Sequence, residues 1–290
     1  MRFVSFQRNG ESRVGLRDGD DVIDLSVAAP DLPSDLLGLL QAGPEAMARA
    51  AAAGAEAGSD ARIPFDEVSF LPLIPRPPKI ICIGRNYAAH AAEGGAEVPS
   101  YPEFFYRGAT SLIGHGQPIV RPACSDKLDY EGELVAIVGQ RARHVSESDA
   151  LPVIAGYTLF NDTTLRDYQR KSSQWTIGKN FDGTGAFGPE FVSADELPAG
   201  AHGLKIQTRL NGRVMQNANT EDLVFPMARL VAILSECMTL EPGDIIVTGT
   251  PSGVGYARTP PVFMRDGDVC EVEVEGIGVL RNPVQDEKAA

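Results

Sequence analysis

The first 26 residues, MRFVSFQRNGESRVGLRDGDDVIDLS, alternate apolar and polar positions in short runs broken by RNGES and RDGDD. Period-two alternation interrupted by Gly, Asn and Asp clusters predicts short strands joined by turns. At 35–57 the pattern changes to an alanine-rich stretch split by Gly43–Pro44, so two short helices are expected there. The proline-rich LPLIPRPPK at 71–79 is the best candidate boundary, dividing a small α+β lobe (1–72) from a larger lobe (73–290). In the larger lobe, strand-like runs cover 79–83, 127–138, 156–161, 204–210, 244–248 and 268–274, with a further short run at 279–280. Helical runs are few: 86–93, 165–171 and 226–237. Many strands with few crossover helices predict an α+β, mainly β fold rather than a doubly wound one. GTGAFGPE at 183–190 is glycine-rich but does not join a strand to a helix, so it is not a phosphate loop.

One run carries unusual chemistry. In LDYEGELVAIVG (128–139), Glu131 and Glu133 stand directly before the apolar residues 134–138. Residues i and i+2 of a strand share a face, so both carboxylates point the same way and raise each other's proton affinity. Lys127 alone cannot balance them, whereas a hard divalent cation with oxygen ligands can. A third carboxylate is available at Asp162, where the apolar run of AGYTLFNDTT (155–164) ends. Taken alone, the E-x-E pattern describes a solvated strand edge more readily than a metal site.

Three other positions are open in the same way. His90 and Glu93, three apart in NYAAHAAE, share a helical face, with Asn86 as a candidate N-cap. They could be a surface pair or a proton-transfer pair. Lys179 in IGKNFD could be a snorkelling surface lysine or a site residue. Trp175 reads as core.

Composition narrows the partners. Of 290 residues, 43% are apolar, enough for a substantial core. Lys and Arg total 26 against 39 Asp and Glu, a net charge of −13, which disfavours nucleic acid and anionic membranes. The four cysteines, Cys82, Cys124, Cys237 and Cys270, form no C-x-x-C pair, so buried free thiols are expected rather than a zinc or redox site. MRFVSFQRNG contains no apolar signal-type run and no stretch reaches transmembrane length, which predicts a soluble cytoplasmic protein.

Five segments occur in order: IGRNYAAHAAE (83–93), LDYEGELVAIVG (128–139), LFNDTTLRDYQ (159–169), IGKNFDGTGAFGP (177–189) and IIVTGTPSGVG (245–255). Together they resemble the fumarylacetoacetate hydrolase family over about 79–283. The resemblance implies a mixed β-roll or barrel-like sandwich with a small, variable N-terminal lobe, assembled as a homodimer. It implies one divalent cation, Mg²⁺ foremost with Mn²⁺ or Ca²⁺ as alternatives, on Glu131, Glu133 and Asp162. His90 and Glu93 would sit on a lid and activate water, and Lys179 would steady developing negative charge. Gln169 and Thr250 would hold polar groups of the substrate. Arg107, in PEFFYRGATSLIGHG (102–116), stands where many relatives carry Lys–Pro; its planar fork would suit a carboxylate or hydroxyl pair of the substrate.

The activity so implied is hydrolysis of the C3–C4 bond of a small anionic 2-oxo acid, a 2,4-dioxo acid, to pyruvate and a carboxylic acid. Acylpyruvates, fumarylpyruvate and 2,4-diketo-3-deoxy sugar acids such as diketo-deoxyrhamnonate are candidates. The family also includes decarboxylases of oxaloacetate-like acids and isomerases of hydroxymuconate-type acids, which stand as alternatives. A non-catalytic binding protein is the rival of a different class, disfavoured by the full set of site residues. The His90–Glu93 pair tilts the expectation to hydrolysis, because decarboxylation needs no activated water.

Overall fold

The structure is a computed structural model that describes residues 1–288. At its centre lies the strand Gly132–Val138, GELVAIV, buried along its whole length. A strand covered on both faces reads as a continuous apolar run rather than an alternation. Leu134, Ala136 and Val138 face one core together with Ile206, Val272 and Leu280. Val135 and Ile137 face the other, which includes Phe160, Phe187, Val247 and the helical residues Leu36, Leu39 and Met47. The large sheet is therefore sandwiched between N-terminal helices and a second sheet.

The large sheet runs Arg62–Pro64, Asp21–Asp24, Glu11–Asp18, Arg2–Arg8, Gly185–Ser193, Ile154–Asp162, Gly132–Val138, Ile245–Val247, Ile80–Gly84, Glu103–Tyr106. The second runs Arg213–Asn219, Lys205–Leu210, Val269–Val274, Gly278–Asp286, Ile119–Arg121. Pairing is mixed, antiparallel for the most part, with Ile245–Val247 parallel to Ile80–Gly84 and Gly278–Asp286 parallel to Ile119–Arg121. Arg2–Arg8 pairs with Gly185–Ser193, so segment 1–72 shares one sheet with the rest of the chain. The fold is α+β, mainly β, as expected, and its two larger sheets form an open sandwich rather than a closed barrel. Among the described residues, no helix is long and apolar enough to cross a membrane.

The alanine-rich stretch forms helices Leu36–Ala42 and Pro44–Glu56, divided at the expected break. Asp35 caps the first by accepting from the Gly38 N–H, and Pro44 opens the second, where a missing N–H costs nothing. Other expectations need correction. The glycine-rich 183–190, as expected, does not lead from a strand into a helix; it contributes most of a fully buried strand, Gly185–Ser193, which its sequence did not predict. The run 127–138 is interrupted at Tyr130–Glu131, between Leu128–Asp129 and Gly132–Val138. The run 165–171 keeps only the short helix Arg166–Gln169. Asn86 is not a cap: the helix Ala88–Glu93 begins after Tyr87 without a side-chain cap. The Asn86 amide instead donates to the carbonyls of Phe225 and Thr248 and accepts from the Phe225 N–H, tying three segments inside the core. Of the cysteines, Cys82 and Cys270 are buried, while Cys124 and Cys237 are exposed, because one lies in a loop and the other ends the helix Met227–Cys237.

One half-buried group gives the fold a pH dependence. His115 packs edge-on against Phe70 and its Nδ1 accepts from the Arg281 N–H. Burial, with the Arg281 charge adding to it, pushes its pKa down from 6.5 to about 4. The unfolded chain then binds a proton that the folded chain refuses, so the associated stability is complete above pH ~6.5 and is lost as pH falls toward ~4. Discounted for partial exposure, this amounts to about 2 kcal/mol. Urea unfolding at pH ~7 and ~4 should show wild type losing about that much more stability than His115→Gln; equal losses would exclude the effect.

Candidate active site

The register of two central strands assembles the acidic cluster. Gly132 lies opposite Asn161 and Glu133 opposite Phe160. One step further, the Asp162 N–H donates to the Glu131 carbonyl at 2.8 Å, so Glu131 stands opposite Asp162. Glu131 and Glu133 share a face because they are two apart, and Asp162 faces the same way as Phe160. Carboxylate oxygens of Glu131, Glu133 and Asp162 lie within 4.8 Å of one another, and all three residues are buried. Three hard oxygen donors at one buried point suit a cation such as Mg²⁺ or Mn²⁺.

The surrounding positive charge explains which carboxylate is left over. Lys179, from the short helix Thr176–Lys179, places its Nζ 2.5 Å from Glu131 and 2.6 Å from Asp162. Arg166 reaches Glu131 at 2.7 Å and Asp129 at 2.8 Å. Burial works to raise the Glu131 pKa, but Lys179 and Arg166 outweigh it and hold the carboxyl down at about 2. For Lys179, burial opposes the charged form, yet Asp162 and Glu131 outweigh it and raise the pKa. Glu133 makes no ion pair among the described residues; it accepts only from the Gly249 N–H, at 2.6 Å. Burial, then the charges of Asp162 and Glu131, push its pKa well up. The surplus negative charge sits where a cation would relieve it.

The proton-transfer pair comes from elsewhere in the chain. His90 and Glu93 lie on the helix Ala88–Glu93, with His90 Nδ1 2.8 Å from Glu93 Oε1. The second Glu93 oxygen accepts from the Gly253 N–H at 2.8 Å. Gly253 has φ +102°, and a Cβ there would meet the Met215 carbonyl at 2.2 Å, so only glycine fits this turn. The loop TGTPSGVG and the residue after it offer their backbone N–H groups to the chain's own carboxylates. Gly249 serves Glu133, Gly253 serves Glu93, and Gly255 and Tyr256 serve Asp129.

A cavity of about 180 Å³ gathers most of the residues singled out from the sequence: His90, Glu131, Glu133, Asp162, Gln169, Lys179 and Thr250. Glu93 stands behind His90 rather than on the wall. Thr250 accepts from Gln216 and donates to the Gly132 carbonyl, and Gln169 accepts from Arg166. Arg107 is not on the wall. Its side chain is fully buried, and the fork binds Asp162 at 2.5 Å, Ser111, Thr184 and the Thr163 carbonyl. Arg107 therefore anchors a cluster carboxylate. Trp175, read as core, lines the cavity against Gly84, where a Cβ would lie 2.2 Å from its ring.

Residues that sequence reasoning missed are Asp129, Arg166, Arg85, Arg170 and Tyr256. Arg166 had a usable signal, since it precedes Gln169 by three on one helical turn of the same motif. Tyr256 and Arg85 had none, because only the fold brings their loops to the cavity.

Comparison with known proteins agrees with this geometry. The sequence profile described as fumarylacetoacetate (FAA) hydrolase C-terminal matches residues 79–285. Oxaloacetate tautomerase Fahd2a, mitochondrial, of Rattus norvegicus is 39% identical over 289 residues, covering 98% of this chain and 91% of that protein. A fumarylacetoacetate hydrolase of Exiguobacterium antarcticum superposes with TM-score 0.86 at 34% identity, over 99% of this chain and 100% of that one. The maleylpyruvate hydrolase of Sphingobium sp. SYK-6, solved with manganese(II) and pyruvate, gives TM-score 0.82 at 30% identity, over 99% and 100%. With its strand order, acidic cluster and ordered motifs, this chain belongs to the fumarylacetoacetate hydrolase family.

Proposed function

We propose that this protein is a divalent-cation-dependent tautomerase of a small 2-oxo dicarboxylic acid, with oxaloacetate as the representative substrate. The observation that carries the reading is the meeting, in one small cavity, of three carboxylates, the Lys179 ammonium and the hydrogen-bonded His90–Glu93 pair. At about 180 Å³ the cavity is below the ~300–1,000 Å³ usual for drug-sized ligands and suits a short acid. The likeness to an oxaloacetate tautomerase, at 39% identity over 98% of the chain, supports the choice of reaction.

Glu131, Glu133 and Asp162 would hold the cation, Mg²⁺ or Mn²⁺, which supplies Lewis acidity toward a carboxylate and its neighbouring carbonyl. The Glu93 carboxylate accepts from His90 Nδ1–H and fixes the ring so that Nε2 is left for substrate. In the keto-to-enol direction Nε2 takes a proton from C3. The C3–H electron pair becomes the C2=C3 bond, and negative charge moves to the C2 oxygen. Lys179 stabilises that charge. The imidazolium, steadied by Glu93, then delivers its proton to the C2 oxygen, which completes the exchange.

A second reading is C–C hydrolysis of a 2,4-dioxo acid, supported by the likeness to a maleylpyruvate hydrolase. The His90–Glu93 pair, which tilted the sequence expectation toward hydrolysis, does not discriminate, since the same base can take a proton from carbon or from water. An assay on Mg²⁺-loaded protein separates the two. Enol-oxaloacetate followed in the ultraviolet should convert well above the buffer rate, without pyruvate release, while acetylpyruvate and maleylpyruvate stay intact. Efficient cleavage of either acylpyruvate with no acceleration of tautomerisation would reverse the assignment.

A further inference from the structure

Four cationic side chains line the cavity: Arg85, Arg166, Arg170 and Lys179. Three are already committed to carboxylates of the chain. Arg85 pairs with Glu103 at 3.1 Å, Arg166 with Asp129 and Glu131, and Lys179 with Glu131 and Asp162. Arg170 makes no ion pair and no side-chain hydrogen bond among the described residues. Its guanidinium is nevertheless placed. It stacks over the Tyr256 ring at 4.7 Å, and Arg166, one helical turn earlier, stands 4.5 Å from the same ring. Tyr256 itself is held by its N–H on Asp129. Its hydroxyl lies against Gly94 at the end of the helix that carries His90, where a Cβ would be 2.8 Å away.

We propose that Arg170, shelved on Tyr256, is the specificity-determining residue that binds the far carboxylate of a 2-oxo dicarboxylate whose 2-oxo end lies at the acidic cluster. An arginine fork matches a carboxylate in a two-pronged geometry, and stacking on an aromatic face fixes the plane of the fork without using its N–H donors. The net charge of the whole protein, −13, would otherwise repel a dianion, so a free cation at the cavity wall favours its capture. This inference names the substrate class within the function proposed above and rests on that reading for the position of the 2-oxo end.

Pyruvate and oxaloacetate differ only in the carboxylate at issue, which makes them the probes. Their affinities for the Mg²⁺-loaded protein are measured by displacement of oxalate in titration calorimetry. Wild type should bind oxaloacetate at least ~10-fold more tightly than pyruvate. Arg170→Gln should weaken oxaloacetate by ~10-fold or more and change pyruvate less than about twofold. Arg170→Lys should restore part of the loss as a point charge, and Tyr256→Leu should reproduce part of it while Arg170 remains. Equal weakening of both acids by Arg170→Gln, or no change in either, would overturn the proposal. The differential loss without any tautomerase activity would uphold Arg170 as the carboxylate reader and refute the reaction assigned above. Tautomerase activity with wild type binding both acids equally would leave that reaction standing and refute the role of Arg170.

Discussion

Stripping the protein of divalent cations should abolish turnover, and Mg²⁺ or Mn²⁺ should restore it. Glu131, Glu133 and Asp162 bring oxygens within 4.8 Å of one another in a buried place, where like charges are costly. Lys179 and Arg166 offset part of this charge, but they lean on Glu131 and Asp162 and leave Glu133 uncompensated. Glu133→Gln removes the surplus charge and one ligand together. Its expected effect on turnover is a loss of ~10³-fold or more, since Lewis-acid stabilisation is worth several kcal/mol and each 1.36 kcal/mol is tenfold. A readout independent of activity accompanies it. Mg²⁺ should raise the wild-type melting temperature by binding the folded state only, and this rise should vanish in Glu133→Gln. The cation-free variant should be no less stable than cation-free wild type, because a buried, repelled carboxylate is gone. Full wild-type activity after verified metal removal would sink the metal assignment.

His90→Ala should slow tautomerisation by ~10²–10⁴-fold, the usual worth of a positioned proton-transfer group. Glu93→Gln should come close to the same loss for a more specific reason. Glu93 accepts from two sides, from His90 Nδ1 and from the Gly253 N–H. A glutamine can keep the Gly253 contact through its carbonyl, but its NH₂ then faces Nδ1. That forces the imidazole into the tautomer with its proton on Nε2, so the nitrogen facing substrate can no longer accept. The double variant should cost little more than either single one, because the pair acts as a unit. Affinity for oxalate should change little, since neither residue belongs to the acidic cluster. Independent, multiplying losses in the double variant would contradict a joint role.

The contacts that join Gly253, Glu93 and His90 illustrate why some of this site was legible and some was not. Properties with a short sequence period were readable. The two glutamates share a face because a strand repeats every two residues, and His90 and Glu93 meet because a helix brings i and i+3 together. The helices Leu36–Ala42 and Pro44–Glu56 were readable from Gly43–Pro44, since proline and glycine act on the backbone locally. The strand Gly185–Ser193 was hidden because it is covered on both faces and begins with small residues, so nothing alternates. The helix Thr176–Lys179 is a single turn, too short to show any period.

Charge compensation was the least legible property. The sequence placed Lys127 next to the glutamates and Arg107 at the substrate. In the fold, Lys179 and Arg166 pair with Glu131 and leave Glu133 uncompensated, and Arg107 is buried against Asp162. The sequence by itself determined the mainly β fold, the family and the carboxylate and imidazole chemistry, because these follow from residue types at short spacing. Only the tertiary structure decided which cation meets which carboxylate and that Arg170 is left free at the cavity wall. Ion pairing acts through space over a few ångströms, and strand register joins residues that are far apart along the chain.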